Sequence, residues 1–114
     1  MIETRLGDFE ETILLLVGIL DQEAYAVRIS EEFQNQTGRK VSIGAVHSTL
    51  NRLTEKAFLT SEMGDATAKR GGRRKRIYQI TASGQQALRE SRDFKQALWQ
   101  QYPPLATGNL SFDS

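Results

Sequence analysis

The spacing of apolar residues changes along this chain from helical to alternating and back to helical. That order limits what it can fold into. In "GDFEETILLLVGILDQ" (7–22), Phe9, Ile13, Leu16, Val17 and Leu20 recur at intervals that make one stripe on an α-helix. Asp8 is the expected N-cap, and Glu11, three residues on, the expected partner in a capping box. "AYAVRISEEFQNQTG" (24–38) repeats the pattern with Tyr25, Ile29 and Phe33, and Gly38 is its expected stop. "SIGAVHSTLNRLTEKA" (42–57) does so again, with Ser42 as cap and Ile43, Val46, Leu50 and Leu53 as the stripe. This leaves His47, Ser48, Asn51, Arg52 and Glu55 on the opposite, exposed face.

The period then switches. "FLTSEMG" (58–64) and "RKRIYQI" (74–80) alternate in the manner of strands, and "DATAKRGGR" between them supplies the glycines of a hairpin tip. "TASGQQALRESRDFKQALWQQY" (81–102) returns to helical spacing, capped by Thr81 or Ser83. Its stripe is Ala87, Ser91, Phe94, Leu98 and Tyr102, widened by Leu88 and Trp99. Pro103 and Pro104 end it, and the polar 103–114 reads as a disordered tail. The expected fold is therefore mainly α with a small β-hairpin. Residues 1–81 read as a winged helix-turn-helix domain, followed by a C-terminal dimerisation helix over 82–102.

Charge is segregated along this order. The net charge is only +1, yet residues 1–38 carry two basic and eight acidic side chains, and 39–76 ten basic and three acidic. The cations concentrate in "KRGGRRKRIYQIT" (69–81). The ordinary reading of such a run is a solvated surface. Six cations within eight residues around two glycines point instead to a polyanion. Hydrophobic content of 39% and charged content of 25% are those of an ordinary globular chain. No cysteine is present, which excludes disulfides, thiolate metal sites and a cysteine nucleophile. With His47 the sole histidine, a structural zinc site is not expected. No nucleophile–base pair or phosphate-binding glycine loop is visible, so neither enzyme nor cofactor is expected. The longest apolar run is too short to span a bilayer and no secretion signal follows Met1, so the expected location is the cytoplasm, away from membrane.

Two helices joined by a short turn, followed by a basic hairpin, match a helix-turn-helix with a wing. On that reading the helix over 42–56 enters a major groove of double-stranded DNA, with Gly44, Ala45, His47 and Ser48 near base edges. Lys40, Asn51 and Arg52, together with the wing's Lys69, Arg70, Arg73, Arg74, Lys75 and Arg76, are the candidate phosphate contacts. A module this small reads few base pairs, which favours a two-fold homodimer. Phe94, Leu98, Trp99 and Tyr102 are the candidate interface.

The chain resembles the PadR family of winged helix-turn-helix transcription regulators. The likeness lies in "AYAVRI" (24–29), "SIGAVHSTLNRLTEKAFL" (42–59) and, most specifically, "GGRRKRIYQITASGQQAL" (71–88). His47 and Ser48 stand where the family commonly has Tyr-Pro, and Ala57 where glycine is common. The resemblance implies dimerisation through C-terminal helices and, in most members, repression. It also implies that Phe94, Trp99 and Tyr102 are candidates to line a pocket for a small aromatic effector, although plain interface packing is the favoured role. The alternative function is a winged-helix module that binds RNA or a protein partner.

Overall fold

Each long helix starts or stops where the sequence offers its free backbone groups a partner. The computed structural model describes residues 5–64 and 74–106. Its elements are α1 (Asp8–Leu20), a 3₁₀ turn (Asp21–Glu23), α2 (Ala26–Thr37), α3 (Ile43–Glu55), β1 (Leu59–Met63), β2 (Arg76–Ile80), α4 (Ala82–Gln101) and a single turn α5 (Pro103–Ala106). Ser42 caps α3 by accepting from the Ala45 N–H at 3.1 Å, and Thr81 caps α4 by accepting from the Gly84 N–H at 3.0 Å. In α1 the expected register slips by one residue. Gly7, not Asp8, is the N-cap, and Glu10, not Glu11, reaches back to accept from the Gly7 N–H at 2.9 Å. Glu11 is engaged elsewhere, on α4.

Helices α1, α2 and α3 enclose one core. Ile13, Leu14, Leu16 and Val17 meet Ile29 and Phe33 of α2, and Val46, Leu50 and Leu53 of α3. Each such burial contributes roughly 1.5–3 kcal/mol. Phe58, Leu59 and Tyr78 close the same core from the wing side. Ile43, expected in the α3 stripe, instead lies at the helix's free end and is 43% exposed.

Helix α3 stops in a Schellman motif: the Phe58 N–H donates to Leu53 O and the Ala57 N–H to Thr54 O, both at 2.9 Å. That motif puts Ala57 in the left-handed region, with φ 66°. Strands β1 and β2 then pair antiparallel from Leu59↔Ile80 to Met63↔Arg76. The wing is fastened at its root, because the Tyr78 N–H donates to Ala24 O at 2.9 Å and the Thr81 N–H to Phe58 O at 3.1 Å. Gly84 packs α4 onto this root so closely that a Cβ there would collide with the Phe58 carbonyl oxygen and lie 2.8 Å from Ile80 Cγ2. Ala87 and Leu88 are half-buried against the core, and every residue from Arg92 to Pro104 is exposed. Of the tail expected from 103 onward, Pro103–Ala106 form the short α5, and the rest lies outside the described residues.

Candidate nucleic-acid interface

The chemistry-bearing residues of α3 divide between its two flanks. Successive residues on a helix are turned by about 100°, which puts His47 and Arg52 about 140° apart. All five residues that the sequence placed on the exposed side of α3 are exposed, but they spread over a broad arc. Gly44, Ser48, Asn51 and Glu55 occupy the open middle of the helix and are exposed. His47 turns toward the wing. Arg52 turns the other way, to α1, where its Nε lies 3.3 Å from Glu10 Oε2 and its Nη2 donates to Thr49 Oγ1 at 3.2 Å.

The wing flank forms a groove of about 550 Å³. His47, Asn51 and Thr54 line it from α3, and Ser61, Tyr78 and the cations Arg74, Lys75 and Arg76 from the wing. Tyr25, Ala26 and Val27, at the start of α2, form its remaining wall. The Lys75 ammonium sits 5.0 Å from the Tyr25 ring centroid, a cation–π distance. Arg74 Nε donates to Gly64 O and Arg76 Nη1 to Ser61 Oγ, each at 3.1 Å. Among the described residues no carboxylate is ion-paired with Arg74, Lys75 or Arg76. Lys69, Arg70 and Arg73 lie outside the described residues. Lys40 is exposed on the turn ahead of α3, and its neighbour Arg39 lies 5.8 Å from the Phe33 ring centroid.

Three glutamates of the first third of the chain, Glu10, Glu11 and Glu32, are buried or half-buried and ion-paired, while Asp8, Asp21, Glu23 and Glu31 are exposed. Glu10 is buried and receives Lys56 Nζ at 2.9 Å as well as Arg52. Burial pushes its carboxyl up, but the hydrogen bond from the Gly7 N–H, with Lys56 and Arg52, outweighs burial and holds it below its ordinary value. Glu11 receives Lys95 Nζ at 2.6 Å and Ser91 Oγ at 3.1 Å from α4. The hydrogen bond to Glu11 raises the Lys95 ammonium above its ordinary value. Glu23 and Glu32 take up Arg28 at 3.5 and 3.1 Å. The wing groove itself is lined by Arg74, Lys75 and Arg76 and by no carboxylate among the described residues.

The second surface is α4. Phe94, Leu98, Trp99 and Tyr102 are 58%, 50%, 59% and 54% exposed, so they do not fold back into the core of their own chain. Trp99 and Tyr102 meet edge to face at 6.2 Å. Leu15 and Ile19, on the outer face of α1, are also exposed. A groove between α1 and α4 is lined by Leu15, Leu88 and Trp99. Among the described residues no group of acidic or histidine side chains could hold a metal, and no helix is long and apolar enough to cross a membrane.

Sequence reasoning missed Tyr25, Val27 and Thr54 as groove walls. Val27, an exposed valine at a helix start, carried a weak signal; the Tyr25–Lys75 contact carried none, because it joins residues fifty positions apart. Glu10 as the holder of Arg52 was equally silent in sequence.

The family model for the transcriptional regulator PadR-like family matches residues 14–90. No curated protein matches the chain. Among solved structures, the chain is similar to a PadR-like transcription factor from Bacteroides fragilis, with 24% identity and a TM-score of 0.68, over 85% of this chain and 88% of that one. It is similar to a PadR family transcriptional regulator from Eggerthella lenta at 20% identity and a TM-score of 0.63, over 85% and 82%. Bacillus subtilis PadR, solved in complex with operator DNA, aligns at 23% identity and a TM-score of 0.58, over 73% of this chain and 45% of that one. Identities this low speak for the shared winged-helix fold alone. The family model spans more than half of the 114 residues, and the chain belongs to the PadR-like family of transcriptional regulators.

Proposed function

We propose that this regulator binds operator DNA sequence-specifically as a homodimer, with α3 in the major groove and the wing along the adjoining phosphate backbone. One observation carries the reading: His47 and Asn51 of α3 and the cations Arg74, Lys75 and Arg76 of the wing line the same groove. A duplex seated there meets a polar helix and a cationic ridge together. Gly44, Ala45, His47 and Ser48, in the first half of α3, take the base edges. Asn51, Lys40 and the wing cations take phosphates, and Lys69, Arg70 and Arg73 extend the same cationic run in sequence. Arg52, held by Glu10 on the far flank, supports α3 instead.

Two copies joined through α4 cover Phe94, Leu98, Trp99 and Tyr102 and place two such grooves on one operator. A dimer seated over a promoter excludes polymerase by occupancy, so the regulator acts as a repressor. Operator affinity measured against salt tests the reading. If each subunit neutralises about four phosphates, the slope of log K against log salt is about −7. A slope near zero, or structured RNA displacing duplex DNA at equal concentration, would overturn it.

A further inference from the structure

Glu10 and Glu11 are neighbours in the first turn of α1, yet they hold different helices. Side chains one residue apart diverge by about 100°. Glu10 receives Arg52 and Lys56 from the end of α3. Glu11 receives Ser91 and Lys95 from α4. One helical turn therefore joins the helix assigned to DNA to the helix assigned to dimerisation.

The mounting of α4 gives this joint its consequence. The root of α4 is fixed where Gly84 meets Phe58 and where Ala87 and Leu88 pack against the core. A root contact locates a helix but leaves its direction soft. The second mount is Glu11, whose side chain is only 15% exposed although it lies on the outer side of α1. Its Oε1 accepts from both Ser91 and Lys95, and Asp8 Oδ1 lies 3.5 Å from the same ammonium. Past Ser91 every residue of α4 is exposed. The helix leaves the body as a lever held at this tie, with the Arg5 guanidinium 5.9 Å from the Phe94 ring as a further contact. A 20-residue helix is about 30 Å long. A tilt of about 7° over that length moves its end by about one base-pair step.

We propose that Glu11 is a positioning residue: by holding Ser91 and Lys95 it sets the angle at which α4 leaves the winged-helix body, and so the spacing between operator half-sites that the dimer accepts. This rests on the dimeric DNA-binding reading above and adds to it the part of the chain that measures spacing. Glu11 lies in the groove between α1 and α4 and not among the residues that line the wing groove, so its effect on spacing is separable from any effect on half-site sequence.

The test is selection of bound duplexes from a random-sequence DNA pool, run in parallel with the full wild-type chain, Glu11→Ala and Lys95→Met. The methionine keeps the aliphatic stem of Lys95 and guards against a folding defect in the first variant. The expected wild-type product is an inverted pair of half-sites at one spacing. In the variants the same half-site sequence and a nearly unchanged melting temperature are expected. Their preferred spacing shifts by at least one base pair, or the number of accepted spacings at least doubles. A shift in either variant supports the assignment, and the wild-type spacing retained in every variant that folds overturns it. A wild-type selection that enriches no sequence, or only isolated half-sites, instead sinks the dimeric DNA-binding reading, and this inference with it.

Discussion

At the scale of single residues, a methyl group present or absent separates what the fold needs from what a ligand needs. Gly44 is the second residue of α3, and a Cβ added there would meet nothing within 4 Å. Packing does not require a glycine at that place, and a helix prefers alanine by up to about 1 kcal/mol. On the reading proposed above, the missing Cβ serves close approach of the duplex. Gly44→Ala is expected to raise the melting temperature while weakening specific duplex binding about tenfold. Thermal melting and fluorescence anisotropy check the two signs, and unchanged affinity would remove Gly44 from the contact set. Ala57 is the converse. It occupies the left-handed position of the Schellman motif with φ 66°, where an L side chain is strained by about 1–2 kcal/mol. Ala57→Gly is expected to add about 1 kcal/mol in urea unfolding and to leave DNA affinity unchanged. That position was legible in sequence as an alanine where the family commonly has glycine.

At the scale of elements, periodicity identified α1, α2 and α3 because one face of each is buried in a common core, and α4 by an apolar stripe that its own chain leaves uncovered. It could not tell which exposed flank of α3 met another element, since a side chain facing α1 and one facing water are both polar. Arg52, which the sequence placed on the exposed face of α3 as a phosphate contact, is half-exposed and also pairs with Glu10 of α1. Replacing that carboxylate leaves Arg52, Lys56 and the Gly7 N–H short of their shared acceptor. Glu10→Gln is therefore expected to lose about 2 kcal/mol at neutral pH, the scale of hydrogen bonds to a charged group. The sign with pH follows from a carboxyl held below its ordinary value of 4.5 in the folded state. Its contribution is present in full above 4.5 and is lost as pH falls through the lower folded value. The gap between wild type and Glu10→Gln should close on acidification below that point. Urea unfolding across pH 3 to 7 measures it, and a gap that stays constant with pH would exclude the Glu10 charge as its cause.

At the scale of the whole molecule, three acids of the first turn of α1 lie between the two surfaces proposed to bind DNA and a second copy. Asp8, Glu10 and Glu11 hold α3 and α4, while the wing cations face a groove with no described carboxylate paired to them. The half-exposed aromatics of α4 form the other surface. Trp99→Asp places a charge in the interface proposed there, where desolvation without a partner costs several kcal/mol. The expected product is a helical monomer by light scattering and circular dichroism, with operator affinity down at least a hundredfold. A dimer that persists would move the interface elsewhere.

The amino-acid order alone was enough to establish three core helices, a basic hairpin and a final helix with an uncovered apolar stripe. Those features are local: a repeat of three or four residues, a Ser or Thr cap, a run of arginines. Which flank of α3 faces the wing, that Lys75 rests on Tyr25, and that neighbouring glutamates grip different helices came only from the tertiary structure. The contacts of Glu10 with Arg52 and Lys56 and of Glu11 with Ser91 and Lys95 join residues 42 to 84 positions apart, and the pattern of either partner alone does not change whether or not the other is there to meet it.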